Sequence, residues 1–141
     1  MRVNVPLLEL LREIRALASI VVATDNMDCF AETFRRLRGG RRPTGRGSTE
    51  TLAWWASDCD DLISSSDVAV LKDEDAARFF MPWLSRHGMT FRDALLIDDS
   101  TSCCAAFREQ GGTALRWRMG DDDLSGVATV LNGWLGHAPK P

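Results

Sequence analysis

Several features that would define a functional class are missing from this sequence of 141 residues. No apolar run approaches the ~20 residues of a membrane-spanning helix, so we expect no membrane partner. The four cysteines form no Cys-x-x-Cys pair and are accompanied by only two histidines, which argues against a zinc site. No export signal is visible, and we therefore expect reduced thiols and a cytoplasmic protein.

Lysine is the scarcest charged residue. Among 17 basic residues only Lys72 and Lys140 are lysines, and the formal net charge of −3 is too small to indicate a partner by itself. Hydrophobic residues make up 45% of the chain, as in a globular domain, and the length suits one core. We expect a single domain over residues 1–141.

Short apolar runs alternate with segments of helical spacing. Leu7, Leu11 and Ile14 recur at helical intervals, whereas residues 19–23 (SIVVA) form a continuous run that suits a strand buried on both faces. This alternation predicts an α/β fold with a parallel sheet. The predicted strands are residues 19–23, 62–65, 94–97 and 113–117, and the predicted helices are 6–18, 27–37, 49–57, 73–87, 102–109 and 124–135, with a loop at 39–48.

Polar residues stand where three of the predicted strands end. Ligands of parallel sheets bind beyond the carboxyl ends of the strands, which here are Thr24-Asp25, residues 64–67 and Asp98-Asp99. The adjacent carboxylates of Asp98 and Asp99 repel each other unless a cation is present, and Mg²⁺ binds such oxygens. The alternative, favoured for the pair taken alone, is that one of them caps the next helix.

Thr24 and Lys72 could bind an anion at such strand ends. The Thr24 hydroxyl and the backbone amides after it, at Asp25 and Asn26, could receive a phosphate oxygen, or Thr24 could simply cap a helix. An ammonium at Lys72 could neutralise phosphate and also hold a carboxylate in place. The alternative of a solvated surface lysine is weakened because this chain uses arginine for nearly all its cations.

The order of these residues resembles the haloacid dehalogenase (HAD) superfamily. The second, third and fourth motifs of that family are a strand ending in threonine, a lysine that opens a helix, and a strand ending in two aspartates. The corresponding segments are SIVVATDN with Thr24, VAVLKDED with Lys72, and ALLIDDSTSCCAAFREQG with Asp98 and Asp99. The last segment is the most specific, and the resemblance covers nearly the whole chain.

The resemblance implies a three-layer Rossmann-like core and a Mg²⁺-dependent hydrolase, most often a phosphatase, acting on a small phosphorylated molecule. In that family an aspartate attacks phosphorus, and water then cleaves the aspartyl-phosphate. By position, Thr24 and Lys72 would be the catalytic residues. The phosphoryl group would bind Thr24, Asp25, Asn26 and Lys72, and the metal would bind Asp98 and Asp99. A non-catalytic module that binds phosphate, metal or a protein is the alternative.

The first motif of the family, a strand ending in Asp-x-Asp, has no counterpart in the sequence. No aspartate precedes Asp25, so we expect this chain to lack the nucleophile, to lack a cap domain and to be inactive. In the family that strand lies centrally, between those ending at Thr24 and Asp98. Without it, buried unpaired backbone groups would cost ~1–3 kcal/mol each, against a domain stability of ~5–15 kcal/mol.

Three arrangements would resolve the missing central strand. The strands at 19–23 and 94–97 could pair directly, another chain could supply a strand and so form a homo-oligomer, or the sequence could be a fragment. We favour the fragment, since residues 6–17 resemble a helix from the middle of a domain.

Six arginines cluster around the predicted loop at 39–48. They could contact a nucleic acid, but a solvated helix end beside a loop is favoured, because aromatic residues are not interleaved with them. We therefore do not expect a nucleic-acid partner. The six are Arg35, Arg36, Arg38, Arg41, Arg42 and Arg46.

Overall fold

The fold was taken from a computed structural model, which describes residues 5–25, 28–38, 56–118 and 124–137. The chain divides into two compact units, Met1–Ala69 and Val70–Pro141. In the described part of each unit one pair of parallel strands occurs together with helices, which confirms the predicted α/β class and parallel strand pairing. The loop predicted at 39–48 lies outside the described residues, and the single domain stays a prediction.

The first unit is built on two strands, β1 (Val21–Thr24) and β2 (Asp61–Ser64). They pair in parallel, with Val22 opposite Leu62 and Thr24 opposite Ser64. Among the described residues they are accompanied by α1 (Val5–Ile14), α2 (Asp28–Arg38) and the short α3 (Ser65–Val68). Residues 56–58, at the end of the helix predicted over 49–57, are helical.

The core of the first unit is an apolar cluster between the strands and α2. Phe34 is fully buried and packs with Val22 and Leu62. At the amino ends of the two strands, Asp60 accepts a hydrogen bond from the Ile20 amide (2.7 Å) and pairs with Arg15. This carboxylate ties the start of β1 to the chain before β2.

The second unit contains β3 (Leu95–Asp98) and β4 (Thr113–Arg116), which pair in parallel. The helices are α4 (Ala76–Arg86), a short 3-10 helix (Phe91–Asp93), α5 (Thr101–Glu109) and α6 (Leu124–His137). Within the described parts of the chain, no helix combines the length and hydropathy that crossing a bilayer requires.

Four phenylalanines form the core of the second unit. The ring of Phe107, on α5, lies edge-on to Phe80 of α4 and to Phe91, with both centroid distances 5.0 Å. Phe80 also contacts Phe79 at 4.7 Å. Edge-to-face pairs of this kind add to the free energy of burial. They hold α5 against α4 and the 3-10 helix.

Some helices and strands differ from the predicted ones in their bounds, and one helix was not predicted. The predicted helix at 73–87 begins at Ala76, because the Asp75 side chain accepts a hydrogen bond from the Arg78 amide and caps the helix there. The helix α3 was not predicted, since four residues show no helical periodicity. β3 extends one residue further than predicted, so that Asp98 is its last member.

Gly112 follows α5 and packs directly under the Phe107 ring. A Cβ atom at Gly112 would lie 2.2 Å from Phe107 Cε1, so Gly112→Ala must displace a core ring. We expect a loss of about 1–3 kcal/mol in the free energy of unfolding, measured with urea. Gly133→Ala is the control, since nothing lies within 4 Å of its added Cβ. It should be neutral or stabilising by about 1 kcal/mol, because alanine favours the helix. Equal effects of the two would contradict the close packing at Gly112.

Candidate functional site

A lysine and an aspartate form a buried ion pair at the carboxyl end of β3. Lys72 Nζ donates to Asp98 Oδ2 at 2.6 Å, and the two side chains are only 11% and 9% exposed. Asp98 is the last residue of β3, in the position where parallel sheets present ligand-binding groups. The structure thus brings together two of the predicted site residues. The alternative prediction, that Lys72 is a solvated surface residue, is wrong.

The second oxygen of the Asp98 carboxylate is also bonded. Asp98 Oδ1 accepts a hydrogen bond from the Ser100 amide at 2.8 Å. The N-cap of α5 is Ser100, whose hydroxyl accepts from the Cys103 amide at 3.2 Å. The alternative in which Asp98 or Asp99 caps this helix is therefore wrong, because serine takes that role and leaves Asp98 to the lysine.

Lys72 lies in a turn and not at the start of a helix. Residues 72–74 form the turn that precedes α4, whose cap is Asp75. The neighbouring Asp73 accepts a hydrogen bond from the Ser102 hydroxyl at 2.7 Å, and Ser102 Oγ lies 2.9 Å from Ser100 Oγ. This hydrogen-bond chain was not predicted. Its sequence signal is a Ser-x-Ser after the two aspartates and an acid directly after the lysine.

Thr24 and Ser64 occupy the carboxyl ends of β1 and β2 in the first unit. They are register partners, and their exposed fractions are 7% and 0%. Ser64 caps α3 and its hydroxyl lies 2.8 Å from Ser66 Oγ. Asp25 is exposed, and Asn26 lies outside the described residues. The phosphate-binding roles of Thr24, Asp25 and Asn26 stay predictions.

The described residues give a divalent cation little to bind. The charge of Asp98 is already matched by Lys72. The Asp99 side chain is exposed, and the backbone carbonyl oxygen of Asp99 accepts a hydrogen bond from Arg116 Nε at 3.2 Å. No group of three or more His, Cys, Asp or Glu side chains able to hold a metal occurs among those residues. They do not by themselves fit Mg²⁺, which needs octahedral oxygen ligands, so its assignment to Asp98 and Asp99 stays a prediction.

Three of the four cysteines are buried, and only Cys29 is exposed. Burial raises the pKa of Cys59 to about 12, helped by the neighbouring Asp58 and Asp60 carboxylates. Burial likewise raises the pKa of Cys103 and of Cys104. The Cys104 thiol also donates a hydrogen bond to the Asp98 carbonyl oxygen at 3.7 Å, which opposes this rise but does not cancel it. Since the thiolate is the nucleophile, the buried cysteines are poor candidates for covalent chemistry.

Two arginines of the predicted cluster are engaged in ion pairs within the first unit. Arg35 pairs with Asp67, and Arg38 Nη1 lies 3.4 Å from Asp61. All four side chains are partly solvated, so the pairs contribute little to stability. Arg41, Arg42 and Arg46 lie outside the described residues.

Comparisons with known proteins do not name a family. No protein-family model and no curated protein matches the sequence. Among solved structures, the chain is similar to an uncharacterised protein from Corynebacterium glutamicum, with a TM-score of 0.49 and 19% sequence identity. The similarity covers 89% of this chain and 99% of that chain.

Removing one partner of the buried ion pair should be costly, and removing both should not. We expect Lys72→Met to lower the free energy of unfolding by about 3–5 kcal/mol, since it leaves the Asp98 charge buried without a counter-charge. Lys72→Met with Asp98→Leu should recover most of this loss, because apolar replacement of a buried pair is often neutral. Urea unfolding measures both, with Lys140→Met as the charge-matched control. A double variant as unstable as the single one would contradict the pairing.

The thiols should differ sharply in reactivity. At about pH 8, Ellman's reagent should label Cys29 rapidly and leave the other three cysteines unmodified in the native chain, because their raised pKa values keep them protonated. Cys29→Ser should abolish the rapid phase, and denaturant should expose all the remaining thiols. Rapid labelling of a second thiol in native Cys29→Ser would show that burial does not protect it.

Proposed function

We propose that this chain carries the phosphoryl-binding part of a HAD-type phosphohydrolase core, with Lys72 as the anion-binding residue. The observation that supports this most directly is the buried Lys72–Asp98 pair at the carboxyl end of β3. An ammonium in that position can donate to a phosphoryl oxygen while the carboxylate holds it in place. The substrate class is a small phosphorylated molecule.

The choice of lysine for this pair favours function over structure. Taking two charges out of water is expensive, and apolar residues of similar size would often be as stable. A purely structural pair would also suit arginine, whose planar guanidinium binds both carboxylate oxygens and which this chain uses for nearly all its cations. Lysine is a compact point charge, which suits sharing between a fixed carboxylate and a bound phosphate.

The strand pairing supports the finer assignment of the fold. The sheet of a three-layer Rossmann-like HAD core that lacked its central first strand would retain two parallel pairs, and two such pairs are present, β1–β2 and β3–β4. We propose that they belong to such a core.

The chemistry of the described residues stops at binding and charge neutralisation. Lys72 would stabilise the negative charge of the phosphoryl group, and Asp98 would keep the ammonium oriented. No aspartate precedes Asp25 to serve as the nucleophile of the first motif, so we propose no hydrolysis by these residues alone. Four free cysteines fit a cytoplasmic location, and we propose neither a membrane nor a nucleic-acid partner.

Thermal unfolding in the presence of inorganic phosphate tests the binding proposal. Phosphate at ten times its dissociation constant should stabilise the native chain by about 1.4 kcal/mol. The variant Lys72→Met with Asp98→Leu, which should still fold, should show no such stabilisation, while Lys140→Met should behave like the parent chain. Stabilisation that survives in the double variant would place phosphate elsewhere and overturn the proposal.

Turnover of p-nitrophenyl phosphate with Mg²⁺ separates the enzyme from the binding module. We expect none above a Lys72→Ala control, because the first-motif nucleophile is lacking. Phosphate binding without turnover agrees with a binding role for this chain. Clear turnover that depends on Lys72 would mean that another residue acts as the nucleophile, and the binding role without hydrolysis would then be wrong.

A further inference from the structure

The turn that carries Lys72 is tethered to the start of α5 by a hydrogen-bond chain. The Ser102 hydroxyl donates to Asp73 Oδ2 at 2.7 Å, and Ser102 Oγ lies 2.9 Å from Ser100 Oγ. Ser100 is the residue whose amide binds Asp98 Oδ1. The chain therefore links the residue after the lysine to the residue that holds its carboxylate partner.

Helix capping does not account for the Asp73–Ser102 hydrogen bond. The cap of α5 is Ser100, which accepts from the Cys103 amide, and the cap of α4 is Asp75, which accepts from the Arg78 amide. Both helices are thus capped by other side chains. Asp73 and Ser102 are also exposed, so their hydrogen bond contributes little to the stability of the fold.

The position of the Lys72 ammonium depends on where its backbone lies. Lysine reaches its partner through a flexible four-carbon stem. Residue 72 lies in a turn and not in a helix or strand, so regular secondary structure does not fix it. A side-chain tether at the next residue is a direct way to restrict the turn.

We propose that Asp73 and Ser102 are positioning residues, which hold the Lys72 ammonium on Asp98 in the geometry that receives a phosphoryl group. The proposal deepens the proposed function and rests on it for the identity of the anion. The tether acts on the backbone of the turn and does not touch the anion itself. Its loss should therefore mobilise the ammonium while leaving the rest of the unit folded.

The two lysines of the chain make the ammonium directly observable. In protein labelled with ¹³C,¹⁵N-lysine, NMR should show two lysine side chains, with Lys140 as the internal reference. We expect distinct shifts for the two Hε protons of Lys72 in the parent chain, because a held side chain makes them inequivalent. Ser102→Ala and Asp73→Ala should merge these shifts, and Ser102→Thr, which keeps the hydroxyl, should restore them. Ser85→Ala, an exposed serine on α4, is the matched control.

Phosphate titration gives the functional readout. Ser102→Ala and Asp73→Ala should each weaken phosphate binding about tenfold, since small misplacements of a binding group are costly. If Asp73 acted only through its charge, Asp73→Ala would instead strengthen the binding of an anion, and that result would overturn the proposal. So would Lys72 signals that do not change in either variant, with folding checked by circular dichroism. If the Hε shifts of Lys72 merge in both variants but the parent chain does not bind phosphate, the proposed function is wrong. The positioning of Lys72 by Asp73 and Ser102 is then still established.

Discussion

The desolvation of Lys72 and Asp98 is the constraint on which the second unit depends. Each of these charges is nearly removed from water and must find its partners inside the protein. Lys72 satisfies one carboxylate oxygen of Asp98, and the Ser100 amide satisfies the other. The amide can do so only because α5 begins directly after it. The position of this helix therefore decides whether the ion pair is compensated.

The position of α5 is set in turn by the aromatic core. Phe107, in the same helix, lies edge-on to Phe80 and Phe91, and its ring closes over Gly112. Packed interiors do not deform continuously, so a shift of Phe107 would carry the start of the helix with it. The site and the core are consequently coupled through about two turns of helix. Substitutions at Gly112 should disturb Lys72 and Asp98 although they lie outside the site.

The helices, the strands and the residues at the strand ends could be predicted from the sequence. The side-chain contacts between separate segments could not. Short apolar runs between helical segments predicted all four strands, although β4 has no fully buried residue. Asp98 was placed at its strand end in the same way. The hydrogen bond between Asp73 and Ser102 was not predictable, since it depends on two segments 29 residues apart meeting in space. The cap at Asp75 was missed because an acid before a helix looks like its first turn.

The two ends of the strand pair in the first unit carry different side chains. At the amino ends, Asp60 pairs with Arg15 and accepts a hydrogen bond from the Ile20 amide, and Asp61 pairs with Arg38. At the carboxyl ends, the register places Thr24 beside Ser64, two buried hydroxyls without formal charge. A hydroxyl can donate to an anion without the repulsion that a carboxylate would add. At this end the Ser64 hydroxyl already accepts a hydrogen bond from the Ser66 amide, so it serves as the cap of α3.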